Sequence, residues 1–158
     1  ELLRNVLFGK LLSYSYEPVH QVNLPGDLSG ILTGGNLSVI SSLAGSPLDL
    51  QTKGRILFLE DVDEYLYHID RMMMNLKLSK KLDNLAGLMI GGMTSMNDNL
   101  VPFGKNAYQI IYDITNETGI PIIPDCPAGH MDENLPLIMG SHIKVSLKQG
   151  KISIEFAD

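Results

Sequence analysis

Residues 54–73, GRILFLEDVDEYLYHIDRMM, decide how this chain is read. Ile56, Leu57, Phe58 and Leu59 form an unbroken apolar run, the pattern of a short strand buried on both faces. From about Asp63 to Lys80 the period changes. Tyr65, Ile69, Met72, Met73 and Leu76 then fall on one side of a helix, with Asp63 as its expected N-cap. A buried strand followed at once by an amphipathic helix is a βα unit. Between the two stand Glu60 and Asp61, carboxylates that a buried strand has no packing reason to end on.

The same grammar extends in both directions. Upstream, GILTGGNLSVISSLAGSP (30–47) reads as a strand, a Gly-Gly turn and a helix capped by Asn36 and ended by Gly45 and Pro47. Downstream, LAGLMIGGM (85–93) is a second buried strand. A polar loop follows, then KNAYQIIYDITNETG (105–119) as a helix closed by Gly119. IPIIPDCPAGH (120–130) is a strand running into a Pro- and Gly-rich loop. HIKVSLKQGKISIEF (142–156) alternates apolar and polar residues about a KQGK turn, which is a hairpin. Repeated βα units with a closing hairpin predict an α/β domain with some antiparallel pairing. Leu2, Leu3, Val6, Leu7, Leu11 and Leu12 recur at helical spacing, so residues 1–20 are expected to be a linker helix from a missing N-terminal domain, with the domain proper at 21–158.

The composition sets limits on function. A chain of 158 residues with 44% hydrophobic and 19% charged residues can bury a core of its own. No apolar run approaches the roughly 20 residues that span a bilayer, so no membrane partner is expected. The net charge of −6 comes without a basic stripe, which argues against nucleic acid. The single cysteine, Cys126, reads as a packed thiol, and with no signal-peptide pattern the expected location is cytoplasmic.

In open α/β sheets, functional groups collect beyond the carboxyl ends of the strands. Glu60, Gly91-Gly92 and the Cys126–His130 loop each follow a buried strand and are expected to meet at one edge. A carboxylate at Glu60 could fix the tautomer of His130 and stabilise its imidazolium. Alternatively, Glu60 and Asp61 cap the following helix and His130 is an ordinary loop histidine. A metal held by Glu60, Asp61, Asp63 and His130 is the rival use. There is no HExxH, no paired cysteine and no EF-hand loop, so no metal or other cofactor is expected. The remaining histidines, His20, His68 and His142, show no neighbour suited to chemistry. A nucleophile is missing too, since no GxSxG elbow occurs and Ser38, Ser41 and Ser42 fall within a helical pattern.

In their order along the chain, GGNL, ILFLED, YHIDRM and PAGH…LP…G resemble the C-terminal domain of the LD-carboxypeptidases, the murein tetrapeptide carboxypeptidase family that includes the microcin-immunity peptidases. The resemblance runs from about Leu28 to the C-terminus. It implies a swivelling β/β/α-type domain. It also implies a cytoplasmic bacterial serine peptidase that removes the terminal D-alanine from murein tetrapeptides in peptidoglycan recycling, through a Ser-His-Glu triad without metal. In that pattern Glu60 and His130 correspond to the catalytic glutamate and histidine, and Asn36 to an asparagine near the substrate. The serine, with the amide beside it that completes the oxyanion hole, belongs to the family's N-terminal domain and has no counterpart here. The expected partners are therefore that missing domain and a muropeptide, with a homodimer left open. This chain alone is expected to be inactive. Two alternatives remain, a microcin-immunity-type peptidase acting on peptidyl-nucleotide antibiotics and a noncatalytic binding or dimerisation module.

Overall fold

A computed structural model describes residues 2–10 and 13–157. The run Ile56–Leu59 lies where the sequence reading puts it, in β3 (Ile56–Val62), with β2 (Leu28–Asn36) on one side and β4 (Gly87–Thr94) on the other. These strands and the two-residue β5 (Ile122–Ile123) are all parallel, and each connection crosses back through a helix. The helices are α2 (Leu37–Leu43), α3 (Leu66–Leu78) and α4 (Ala107–Thr115). Parallel strands require such crossovers, which is why apolar runs and amphipathic segments alternate in the sequence.

The first half of β2 pairs antiparallel with β6 (His142–Lys148), which forms a hairpin with β7 (Lys151–Ala157). Gln149 and Gly150 turn that hairpin with φ of 53° and 79°, the left-handed pair a tight two-residue turn needs. β1 (Ser13–Tyr16) completes a seven-stranded sheet in the order β1-β7-β6-β2-β3-β4-β5. The fold is a mixed α/β domain built on one seven-stranded sheet.

The core has two parts. Leu57, Leu59, Leu88 and Ile90 meet Ile69, Met73, Ile110 and Ile111 under the helices. On the opposite face Leu32, Ile56, Phe58 and Met89 pack with Ile143, Val145, Ile154 and Phe156. The second cluster requires the antiparallel half to curl over the parallel half. Bonds between the sheet's two ends hold that curl: Tyr16 donates to the Pro124 carbonyl at 3.0 Å, and Asn23 forms an antiparallel bridge to Ile122.

Two local expectations change. The opening helix, α1, covers only Leu2–Leu7, and Ser13–Tyr16 is a strand paired to β7. Its Ser-Tyr alternation puts Tyr14 into the core, a period-2 signal too short to stand out beside the leucines. Leu11 and Leu12 lie outside the described residues. Helix α3 begins after Tyr65 without a side-chain cap, and Asp63 instead sits at φ 58° with its carboxylate accepting from Asn97 Nδ2 at 2.8 Å. Asn36 does cap its helix, its Oδ1 accepting from the Val39 amide. Among the described residues no helix is long and apolar enough to cross a membrane.

Candidate active site

Glu60 and His130 meet at the carboxyl edge of the parallel strands, 2.8 Å apart between Oε2 and Nδ1. The same oxygen accepts the backbone N–H of His130 at 3.2 Å, so the imidazole and its own peptide are gripped together. The glutamate side chain is 7% exposed and the imidazole 58%. A rigid, buried carboxylate thus holds one ring nitrogen while the other end of the ring reaches solvent. A carboxylate can only accept, which assigns the proton to Nδ1 and leaves the Nε2 lone pair free.

The backbone around Glu60 is shaped for this contact. Leu59 pairs with Ile90 but Asp61 pairs with Met93, so two residues of β4, Gly91 and Gly92, oppose the single Glu60. This bulge seats the loop that follows β5. The Cys126 amide donates to the Ile90 carbonyl, the Gly92 amide to the Ala128 carbonyl at 3.0 Å, and Thr94 Oγ1 to the His130 carbonyl at 2.6 Å. A side chain at Gly91 would meet the Ala128 oxygen at 2.5 Å and the Phe58 ring at 2.7 Å, so glycine is what lets the loop lie down. At Gly129, φ is +110° and an added Cβ would come within 2.8 Å of the Glu60 side chain. Gly129→Ala is therefore expected to push His130 off Glu60. NMR titration of the His130 ring checks this, and an unchanged titration would contradict it.

The bond to Glu60 raises the pKa of His130 above the ordinary histidine value, with the Glu60 and Asp61 charges adding to it and partial desolvation opposing it. The sign follows directly. The ion pair contributes stability below the unfolded-state value of about 6.5, and that contribution is lost as pH rises through the higher folded value. Glu60→Gln is expected to bring the NMR titration midpoint of His130 down toward that of a free histidine. A midpoint left in place would exclude Glu60 as its cause.

Asp61, 2% exposed, has a different task. Its Oδ1 accepts from Asn36 Nδ2 and the Val62 amide, and its Oδ2 from the Ser38 amide, each at 2.9 Å. It therefore ties β3 to the first turn of α2, the helix before it in sequence, and its carboxylate is committed to those donors. Asp61→Asn turns an acceptor into a donor facing other donors. A loss of about 1.5–3 kcal/mol is expected in urea denaturation, and a change below about 0.5 kcal/mol would contradict the assignment. Asn36 is the register partner of Glu60 across β2 and β3. Its Oδ1 also accepts from Ser38 Oγ at 2.7 Å, so one amide hydrogen of Nδ2 is left for other use.

Two histidines read as partnerless do have carboxylates beside them. His68 Nδ1 lies 2.7 Å from Glu64 Oε2, an i,i+4 pair that the sequence spacing could have revealed. His20 Nδ1 lies 2.7 Å from Asp125 Oδ1, a contact across 105 residues with no local signal. Cys126 is buried, its thiol pushed up to about 12 by burial. Among the described residues no group of three or more His, Cys, Asp or Glu could hold a metal ion.

Residues 29–145 match the LD-carboxypeptidase C-terminal domain. The chain belongs to the LD-carboxypeptidase family. It is 32% identical over 136 residues to a Bacillus subtilis protein named "Probable murein peptide carboxypeptidase", covering 84% of this chain and 41% of the relative. The murein tetrapeptide carboxypeptidase of Pseudomonas aeruginosa is 29% identical over 108 residues, covering 68% of this chain and 34% of that protein. Among solved structures, the muramoyltetrapeptide carboxypeptidase of Oxalobacter formigenes superposes with a TM-score of 0.86 at 25% identity, covering 99% of this chain and 53% of that one. The chain thus spans about half the length, or less, of the LD-carboxypeptidases it matches.

Proposed function

We propose that this LD-carboxypeptidase domain supplies the general base and its orienting acid to a serine-type L,D-carboxypeptidase that removes D-alanine from murein tetrapeptides in cytoplasmic peptidoglycan recycling. The observation that carries the reading is the 2.8 Å contact between buried Glu60 and exposed His130. In the complete enzyme, a serine from the other half attacks the carbonyl of the L,D bond. His130 Nε2 takes the serine proton and later delivers it to the leaving D-alanine amine, and water then releases the acyl group by the same route. Glu60 holds the Nδ1–H tautomer and stabilises the imidazolium as it forms. Asn36 offers its remaining amide hydrogen to the substrate.

A serine in the other half is consistent with MccF, of which one solved form is an active-site mutant with a serine, an asparagine and a lysine exchanged for alanine. MccF also motivates the second reading, in which the acyl substrate is a peptidyl-nucleotide antibiotic. That self-immunity protein of Escherichia coli is 24% identical to this chain over 130 residues and has been solved with aspartyl sulfamoyl adenosine. A noncatalytic binding or dimerisation module would leave the exposed imidazole without a task.

The test is hydrolysis of a murein tetrapeptide and of aspartyl sulfamoyl adenosine by this chain, alone and with the additional half that the longer relatives carry. D-alanine release only from the combined halves is the expected result. Cleavage of the nucleotide conjugate alone would move the assignment to the immunity reading. Associated, folded halves that cleave neither would favour the noncatalytic module.

A further inference from the structure

Between β1 and β2 the chain makes a strap, residues 17–24, that leaves one end of the curled sheet and lands on the other. The strap is fastened at Asp125, which stands five residues before His130 at a left-handed φ of 56°. Asp125 Oδ2 accepts the Val19 and His20 amides at 2.8 and 2.7 Å, and Oδ1 bonds His20 Nδ1 at 2.7 Å. Burial opposes the charge of Asp125, but the bonds from His20 and Val19 outweigh it and hold the carboxyl below its usual range. The His20 ring also lies flat on Tyr108, with centroids 3.7 Å apart and planes 9° from parallel.

Two routes lead from this fastening to the Glu60–His130 pair. Along the loop, Asp125 is followed by Cys126, whose amide bonds Ile90, and by Ala128, whose carbonyl bonds the Gly92 amide. Through the side chains, Tyr108 Oη donates to the Gly91 carbonyl at 3.1 Å. Gly91 is half of the bulge opposite Glu60, and the Ala128–His130 turn rests on it. His20 therefore grips both the loop that carries the imidazole and the strand on which that loop lies.

We infer that His20 and Asp125 are positioning residues for His130, forming a clasp through which the 17–24 strap fixes the seat of the imidazole. Its importance for catalysis rests on the proposed role of His130, whereas the coupling itself is a property of this chain. Asp125 faces His20, with Tyr16, Tyr108, Tyr112 and Cys126 as the other titratable groups around the clasp. Removing the clasp frees the strap, lets the Cys126–Gly129 segment ride up from the bulge, and lengthens the Nδ1 contact to Glu60.

The test uses NMR on this chain and needs no turnover. In Asp125→Asn the Val19 and His20 amides are expected to exchange about tenfold faster or more, and the His130 midpoint to fall toward that of free histidine. His20→Phe keeps the stack on Tyr108 and the Asp125 charge, so a fall there too excludes a direct charge effect. Tyr108→Phe, a mild change, tests the second route if the others fold poorly. Ile152→Val, which weakens the hairpin core, is expected to leave His130 unchanged. Faster exchange in the strap with a wild-type His130 titration would overturn the inference, as would exchange at the wild-type rate in Asp125→Asn. A shifted His130 in a protein that proves inactive with its other half would keep the clasp and reject the catalytic role.

Discussion

Replacing His130 with alanine in the assembled two-half enzyme is expected to lower kcat by a factor on the order of 10⁴ or more, with KM little changed. The ring is the exposed end of a pair whose other end is buried, so its loss removes the proposed base without disturbing the core that holds Glu60. Glu60→Gln is the more informative partner. It keeps the size of the side chain but loses the charge that stabilises the imidazolium, and its amide can present a donor to Nδ1. A fall of about 10³–10⁴ is expected, together with an acidic limb of kcat/KM that moves to lower pH as His130 loses the bond that raises it. Steady-state release of D-alanine across a pH series checks both. Retention of more than about a tenth of the activity in either variant would contradict the assignment, since a residue in proton transfer cannot be lost so lightly.

Gly34→Ala is expected to be the most damaging single methyl group in the chain. Gly34 lies opposite Phe58 in the parallel pairing of β2 and β3 at φ +135°, and an added Cβ would run into the Phe58 backbone oxygen, nitrogen and carbonyl carbon. None of these is the free end of a side chain, so the strand itself would have to move. A left-handed backbone costs about 1–3 kcal/mol for a residue with a side chain, and overpacking a closed contact a similar amount. The sum, about 2–6 kcal/mol, is a large share of the roughly 5–15 kcal/mol that keeps a domain folded. Urea denaturation is expected to register the loss, or the variant to accumulate unfolded. A loss below about 1 kcal/mol would mean that β2 and β3 are not so closely apposed at the point where Asn36 and Glu60 come side by side.

What could be read in the sequence divides by the range of the interactions concerned. The βα units around Ile56–Leu59 and Leu88–Ile90 were legible because burial on both faces leaves an unbroken apolar run. The hairpin was legible from its alternation and its KQGK turn. Glu60 and His130 could be expected at one edge because each follows a strand of the same parallel sheet, and the 2.8 Å contact agrees with that placement. The helix does not start at Asp63, as its local cap signal predicts, because that carboxylate bonds to Asn97, 34 positions away. The task of Asp61, open in the sequence between a cap of the following helix and a metal ligand, is set by donors at the end of β2 and the start of the preceding helix. β1, the strap and the His20–Asp125 clasp were invisible because they depend on the curl that brings the sheet's ends together. No periodicity encodes that curl.

Covalent trapping of the serine proposed for the other half would show directly whether His130 activates it. That half would be incubated with a serine-directed phosphonate, alone, with this chain, and with the His130→Ala chain, and intact mass would be read for each. Rapid phosphonylation of the added half is expected only when a chain bearing His130 is present, because in the proposed mechanism His130 Nε2 makes the hydroxyl a nucleophile. Labelling at the same rate with the His130→Ala chain would contradict it, and the Glu60–His130 pair would then be a structural contact at the edge of a site that draws its base from elsewhere.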